Sequence, residues 1–163
     1  MTVFSNIKSA GEVFWFGNTL ILIKTSSRAG QDGLCVIEHW MPYGDSPPMH
    51  VHRNEDELFF ILEGEVRFIV DGQEKVGRVG DSLLAPKGLP HSYCVESRDG
   101  ARMLTVTRGA DFENMLRLSS RPAQRFELPT RSAPTPDVIN ALVATCAANG
   151  IDVVGTPLQP KTF

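Results

Sequence analysis

The sequence predicts an all-β fold, an antiparallel sandwich or barrel, followed by a helical C-terminal extension. Three observations lead there. Eight segments of 5–8 residues are rich in β-branched or aromatic side chains. Gly, Pro and Asp fall between them at short intervals, at Glu63-Gly64, Asp71-Gly72, Pro86-Lys87-Gly88 and Asp99-Gly100. Many short strands separated by turn residues indicate a sandwich or barrel rather than alternating strands and helices. After Gly109 the apolar period changes from strand-like to helix-like.

In order, the strand candidates are Val13–Gly17, Thr19–Lys24, Leu34–Met41, Glu57–Leu62, Glu65–Val70, Asp81–Pro86, His91–Val95 and Ala101–Arg108. Asp111–Ser120 then opens on an acid suited to capping a helix and sets Phe112, Met115 and Leu116 at helical spacing. A Pro-containing linker leads to a second helix over Pro136–Gly150. Pro136 suits its first turn, Val138, Leu142 and Cys146 lie one turn apart, and Asn149-Gly150 stops it. Residues 1–108 thus read as the β domain and 109–163 as a helical extension packed on it.

Length and charge narrow the function. A chain of 163 residues suits one compact core. Net charge is −3 with a pI near 5.8. With no basic excess to neutralise phosphates or anionic lipid, neither nucleic acid nor a membrane is the expected partner. The N-terminus lacks the basic start and apolar run of a signal peptide, and no apolar stretch approaches the ~20 residues of a membrane helix. Cys35, Cys94 and Cys146 are odd in number and widely spaced. They read as reduced, buried thiols of a cytoplasmic protein.

The chemistry centres on MHVHRNEDE, Met49–Glu57. Residues i and i+2 of a strand share a face, so His50 and His52 point inward together if either does. Two adjacent buried imidazoles need something to occupy their nitrogens, and a divalent metal does that well. A turn at Arg53–Asp56 would return Glu57 to the same point, and His91, after the Pro86-Lys87-Gly88 turn, would be a fourth ligand. Three imidazoles and one carboxylate leave open positions on a six-coordinate ion, as a catalytic site requires. Such a set accepts Ni, Co, Mn, Fe, Cu or Zn. The other acids of the turn also fit a solvated loop, and His39 reads as a packing or surface residue.

Register extends inward from the ligands. If Glu57 and His91 point in, so do Phe59, Ile61, Tyr93 and Val95. They would line an apolar pocket around the metal or simply fill the barrel. Phe112 and Met115 would cap the mouth or pack beneath it.

The spacing resembles the cupin family. Its first motif, G-x5-H-x-H-x4-E-x6-G, is matched from Gly44 through His50, His52 and Glu57 to Gly64. Its second, G-x5-P-x-G-x2-H-x3-N, is matched from Gly80 through Pro86 and Gly88 to His91, with Val95 where the family often has Asn. The resemblance implies a double-stranded β-helix, the jelly-roll barrel. Over nearly the whole chain it extends to bacterial single-domain quercetin 2,3-dioxygenase-like proteins. It implies a metal-dependent dioxygenase that opens a flavonol or related enolic aromatic with dioxygen and releases carbon monoxide. His50, His52, His91 and Glu57 would hold the metal, and Glu57 would also take the enol proton. The alternatives are a non-catalytic metal- and small-molecule-binding cupin or an enzyme on another substrate, such as a sugar isomerase. Cupins of this size often pair, so a homodimer is expected, with Thr2–Ile7 available to cover a sheet edge.

Overall fold

The computed structural model describes residues 11–161, so Thr2–Ile7 lies outside the described residues. The first strands are β1 (Glu12–Phe16), β2 (Thr19–Thr25) and β3 (Leu34–Met41), followed by β4 (Pro48–His52), β5 (Glu57–Glu63) and β6 (Glu65–Val70). Then come β7 (Gln73–Arg78), β8 (Ser82–Ala85), β9 (His91–Val95), β10 (Ala101–Arg108) and helix α1 (Asp111–Ser119). The chain closes with β11 (Arg121–Pro122), helix α2 (Pro136–Ala148) and β12 (Ile151–Pro157). A seven-stranded sheet runs β11-β1-β2-β3-β10-β5-β8, and a five-stranded sheet runs β12-β4-β9-β6-β7.

All the pairings are antiparallel. Alternation decides which residues face inward. On β10, Ala101, Met103, Thr105 and Thr107 are buried while the residues between them are not. The β5–β6 link needs Gly64, at φ 80°, because a Cβ there would overlap the Gly100 carbonyl. Two apolar clusters fill the interior. One joins Ile21, Ile37, Phe112, Leu116, Cys146 and Ile151, and the other joins Met41, Phe59, Ile61, Phe68, Val95 and Met103.

The tail differs from a purely helical extension. β11 pairs with β1, and β12 pairs with β4, setting Ile151 opposite His52 and Val153 opposite His50. Strand β7, QEKVGR, also escapes a hydrophobic search: it is an edge strand, exposed at every residue but Gly77. Helix α2 begins as its sequence suggests, with Pro136 in its first turn and the Thr135 hydroxyl accepting from Val138 N at 3.4 Å. Its expected stripe is buried only toward the C-terminus, where Cys146 is covered while Val138 is 57% exposed.

Helix α1 is held differently from the expectation. Asp111 is not its cap. Asp111 lies inside the first turn and its carboxylate accepts from Asn54 Nδ2 at 2.8 Å. The cap position is Ala110, which has no capping side chain, and Glu55 fills the role from another part of the chain. Its carboxylate accepts from Asp111 N at 3.0 Å and Phe112 N at 2.9 Å.

All three cysteines are buried and unpaired. Burial pushes the Cys35 thiol up to about 12. Among the described residues, no helix is long and apolar enough to cross a membrane.

Candidate metal centre

Three ligand candidates come from one sheet and the fourth from the other. His50 and His52 stand on β4, and His91 on β9 pairs directly with His50. Glu57 begins β5 in the facing sheet. One ligand atom from each of the four lies within 4.8 Å of all the others. The Arg53–Asp56 turn brings this about. Gly88 N donates to His52 O at 2.8 Å, and Lys87 N donates to the Asp56 carboxylate at 2.9 Å, so the two ligand-bearing loops are tied together.

Two of the three imidazoles aim one nitrogen inward and are held at the other from behind. His50 Nδ1 lies 2.7 Å from Pro48 O, and His91 Nδ1 lies 3.1 Å from Leu89 O. A carbonyl can only accept, so in the neutral ring the proton sits on Nδ1 and Nε2 presents its lone pair to the centre. His91 Nε2 is 2.9 Å from Glu57 Oε2, His52 Nε2 is 3.3 Å from it, and His50 Nε2 is 4.0 Å from it.

Electrostatics fit a site built for positive charge. Burial alone would raise the Glu57 carboxyl, but His52, His91 and His50 outweigh it and hold it down at about 2. His50 is pushed down to about 4, by burial first and then by His91. Burial would also lower His52, yet the charges of Glu57 and Glu55 raise it. Neither His52 nitrogen has a hydrogen-bond partner although both are buried. A buried imidazole left that way is costly, and a cation on Nε2 relieves it. The donor set and this unpartnered ring therefore fit a divalent metal.

The aromatic and apolar candidates divide between the two core clusters. Phe59, Ile61 and Tyr93 belong to or pack on one core cluster, whereas Phe112 and Met115 belong to the other. The candidate ligands lie between: the Phe59 ring is 6.3 Å from that of His91, and the Phe112 ring is 5.6 Å from that of His52. A recess of about 160 Å³ is lined instead by Leu20, Trp40, Met41, Phe126 and Leu128, away from the ligands. The His50 side chain, 12% exposed, is the most open of the four.

His39 lies on the inner face of β3, 6.3 Å from the Phe112 ring, and burial pushes it down to about 4. It stands outside the ligand group. Sequence reasoning missed Glu55 and Thr107. Glu55 reads as one acid of a solvated turn but is 2% exposed, with Oε2 3.9 Å from His52 Nδ1. Thr107 stands opposite Glu57 across β10–β5, with its hydroxyl buried and unpartnered. Alternation along ARMLTVTR carried that signal.

Fold and site together define a class: a two-sheet antiparallel β protein whose interior holds three histidines and a carboxylate compatible with a divalent metal. Residues 36–107 match the family model for the cupin domain. That match spans the strands that carry the candidate ligands, and it supports a cupin superfamily member. It is 26% identical over 138 residues to quercetin 2,3-dioxygenase of Bacillus subtilis, an alignment covering 85% of this chain and 40% of that protein. The chain thus spans about 40% of the length of the curated relative it matches. Among solved structures it resembles the TT1209 protein from Thermus thermophilus, with TM-score 0.51 and 26% identity, covering 57% of this chain and 85% of that one. An RmlC-like cupin from Shewanella frigidimarina aligns with TM-score 0.54 and 22% identity, over 68% of this chain and 93% of that one. A predicted oxalate decarboxylase from Thermotoga maritima gives TM-score 0.54 and 22% identity, over 61% and 91%. At that identity the last two show the fold alone.

Proposed function

We propose that this chain is a metal-dependent dioxygenase that opens a flavonol such as quercetin, or a related enolic aromatic compound. One observation carries the reading: inward Nε2 atoms of three histidines surround one buried carboxylate, with two of the rings braced from behind by carbonyls. The likeness to a quercetin 2,3-dioxygenase supports the choice of substrate class. A divalent ion held by His50, His52, His91 and Glu57 would supply Lewis acidity and a common docking point for an enolate oxygen and dioxygen.

The chain's own residues supply the rest. Pro48 O and Leu89 O fix the tautomer and aim of His50 and His91. The surrounding histidines hold Glu57 as a carboxylate, and in this reading one of its oxygens would accept the substrate's enol proton. Phe59 and Phe112 stand beside the ligand rings and keep water from the inner side. Substrate approaches past His50. The protein is further taken to be a cytoplasmic homodimer; light scattering tests the dimer.

The experiment is elemental analysis of protein purified without added metal, followed by incubation with quercetin under oxygen. Ni, Co, Mn, Fe, Cu and Zn are tried in turn while the flavonol absorbance is followed. Loss of that band supports the reading, and none with any metal rejects the substrate. A Glu57→Gln variant that keeps metal and full turnover rejects the proton role.

A second reading is favoured by the filled interior: Phe59 and Ile61 pack into the core instead of facing an open cavity. A smaller enolic substrate, or metal and ligand binding without turnover, suits that packing better. Calorimetric binding of small enols without product formation would select the non-catalytic form.

A further inference from the structure

We propose that Glu55 is a positioning residue that orients His52 and couples the metal centre to helix α1. This rests on the metal reading above. The argument starts from an asymmetry. His50 and His91 each have a backbone carbonyl behind Nδ1, but His52 does not. What stands behind His52 is a carboxylate, with Glu55 Oε2 at 3.9 Å. That is outside hydrogen-bond reach but close enough for a small ring adjustment to complete.

Glu55 is itself immobilised. It is 2% exposed, and its two oxygens accept from the first two amides of α1, at 3.0 and 2.9 Å. The carboxylate sits where the helix presents unpaired amides and its positive end. Gly109, at φ 145°, lies directly against it, and a Cβ there would overlap the carboxylate. The Phe112 ring of the same helix also lies against His52. One carboxylate therefore faces both an imidazole that lacks an orienting partner and the start of a helix.

When His52 Nε2 serves a cation, its proton resides on Nδ1 and points toward Glu55. A carboxylate acceptor there fixes the ring and makes Nε2 a stronger donor, and loss of such a partner typically weakens metal affinity by about 10–100-fold. Coupling is reciprocal: if Glu55 and the seated helix favour the metal, the metal must favour the seated helix.

The test uses the full chain with zinc as probe. Glu55→Gln keeps the size of the side chain and one acceptor oxygen for the helix amides, but removes the charge and the second acceptor. It should bind zinc about 10–100-fold more weakly by chelator competition, and Glu55→Asp should lie between it and the wild type. Zinc should slow hydrogen exchange at the Asp111 and Phe112 amides in the wild type and not in Glu55→Gln. Nitrogen NMR of zinc-loaded wild type should place the His52 proton on Nδ1. This last measurement decides the matter even if the variants fail to fold. Unchanged affinity in Glu55→Gln, or zinc bound through His52 Nδ1, would overturn this inference alone. Wild type that takes up no zinc would overturn the metal reading and this inference with it.

Discussion

Two buried carboxylates, Glu57 and Glu113, are alike in burial and unlike in company. Both are held down at about 2 against a burial effect that pushes upward. Glu113 accepts from Ser27 Oγ at 2.6 Å, Ser27 N at 2.7 Å, Ser26 Oγ at 2.8 Å and Arg117 Nε at 2.8 Å. Arg117 in turn pairs with Glu12. Each of those partners donates to it, so both carboxylate oxygens are engaged and α1 is pinned to the loop after β2. Glu57 is surrounded by imidazole nitrogens, which accept or donate according to where a single proton sits. Burial and a depressed pKa therefore do not distinguish a structural carboxylate from a metal ligand. The chemistry of its partners does.

The comparison can be broken in several ways. The largest effect is expected at the histidines. Replacing His50, His52 and His91 together by Gln should abolish stoichiometric metal uptake, measured by elemental analysis, while far-UV circular dichroism remains that of a β protein. Uptake that survives would remove Glu57 from the ligand class. Next comes Glu113→Gln. Removing a buried charge with four donors should cost roughly 3 kcal/mol in urea unfolding, since hydrogen bonds to charged groups are worth about 1.5–3 kcal/mol each and a neutral amide keeps some of them. Its metal uptake should stay stoichiometric and its affinity should fall less than in Glu55→Gln, because the start of α1 remains held by Glu55. A larger drop would mean the two carboxylates are not separable.

Acid sharpens the contrast. The Glu113 pKa is depressed in the folded state, so its stabilisation is present above the ordinary value of 4.5 and is lost as pH falls toward about 2. Metal-free wild type should lose stability across that window, and Glu113→Gln should lack that part of the slope. Equal slopes would show that Glu113 does not carry the acid sensitivity. The smallest effect belongs to the surface. Asp32 pairs with Arg108 at 3.1 Å, but their side chains are 83% and 74% exposed. Asp32→Asn should shift unfolding by well under about 1 kcal/mol and leave metal uptake alone.

Much of the site was legible because it obeys local rules. The H-x-H pair shares a face by the period of a strand, and the turn after it returns Glu57 within a few residues. Strands β3, β6, β9 and β10 keep the bounds their apolar runs suggest. Strand β7 was not legible, because an exposed edge needs no apolar face. Strand β12 was hidden because IDVV following a helix is too short to declare its partner. Nor could the capping of α1 be read: Asp111 satisfies the usual local pattern, but Glu55, 56 residues away, reaches the amides first.

Local sequence rules settled the candidate ligand types, their spacing and the shared face of His50 and His52, because periodicity and turn chemistry act over a few residues. They also settled the all-β character, through the regular alternation of short apolar runs and turn residues. Only the tertiary structure decided that Glu57 meets the histidines from the opposite sheet and that the aromatic residues divide between two cores. It also decided that an acid in the turn serves a helix far along the chain. Those outcomes depend on how the sheets pack against each other, and that is set by the whole interior at once.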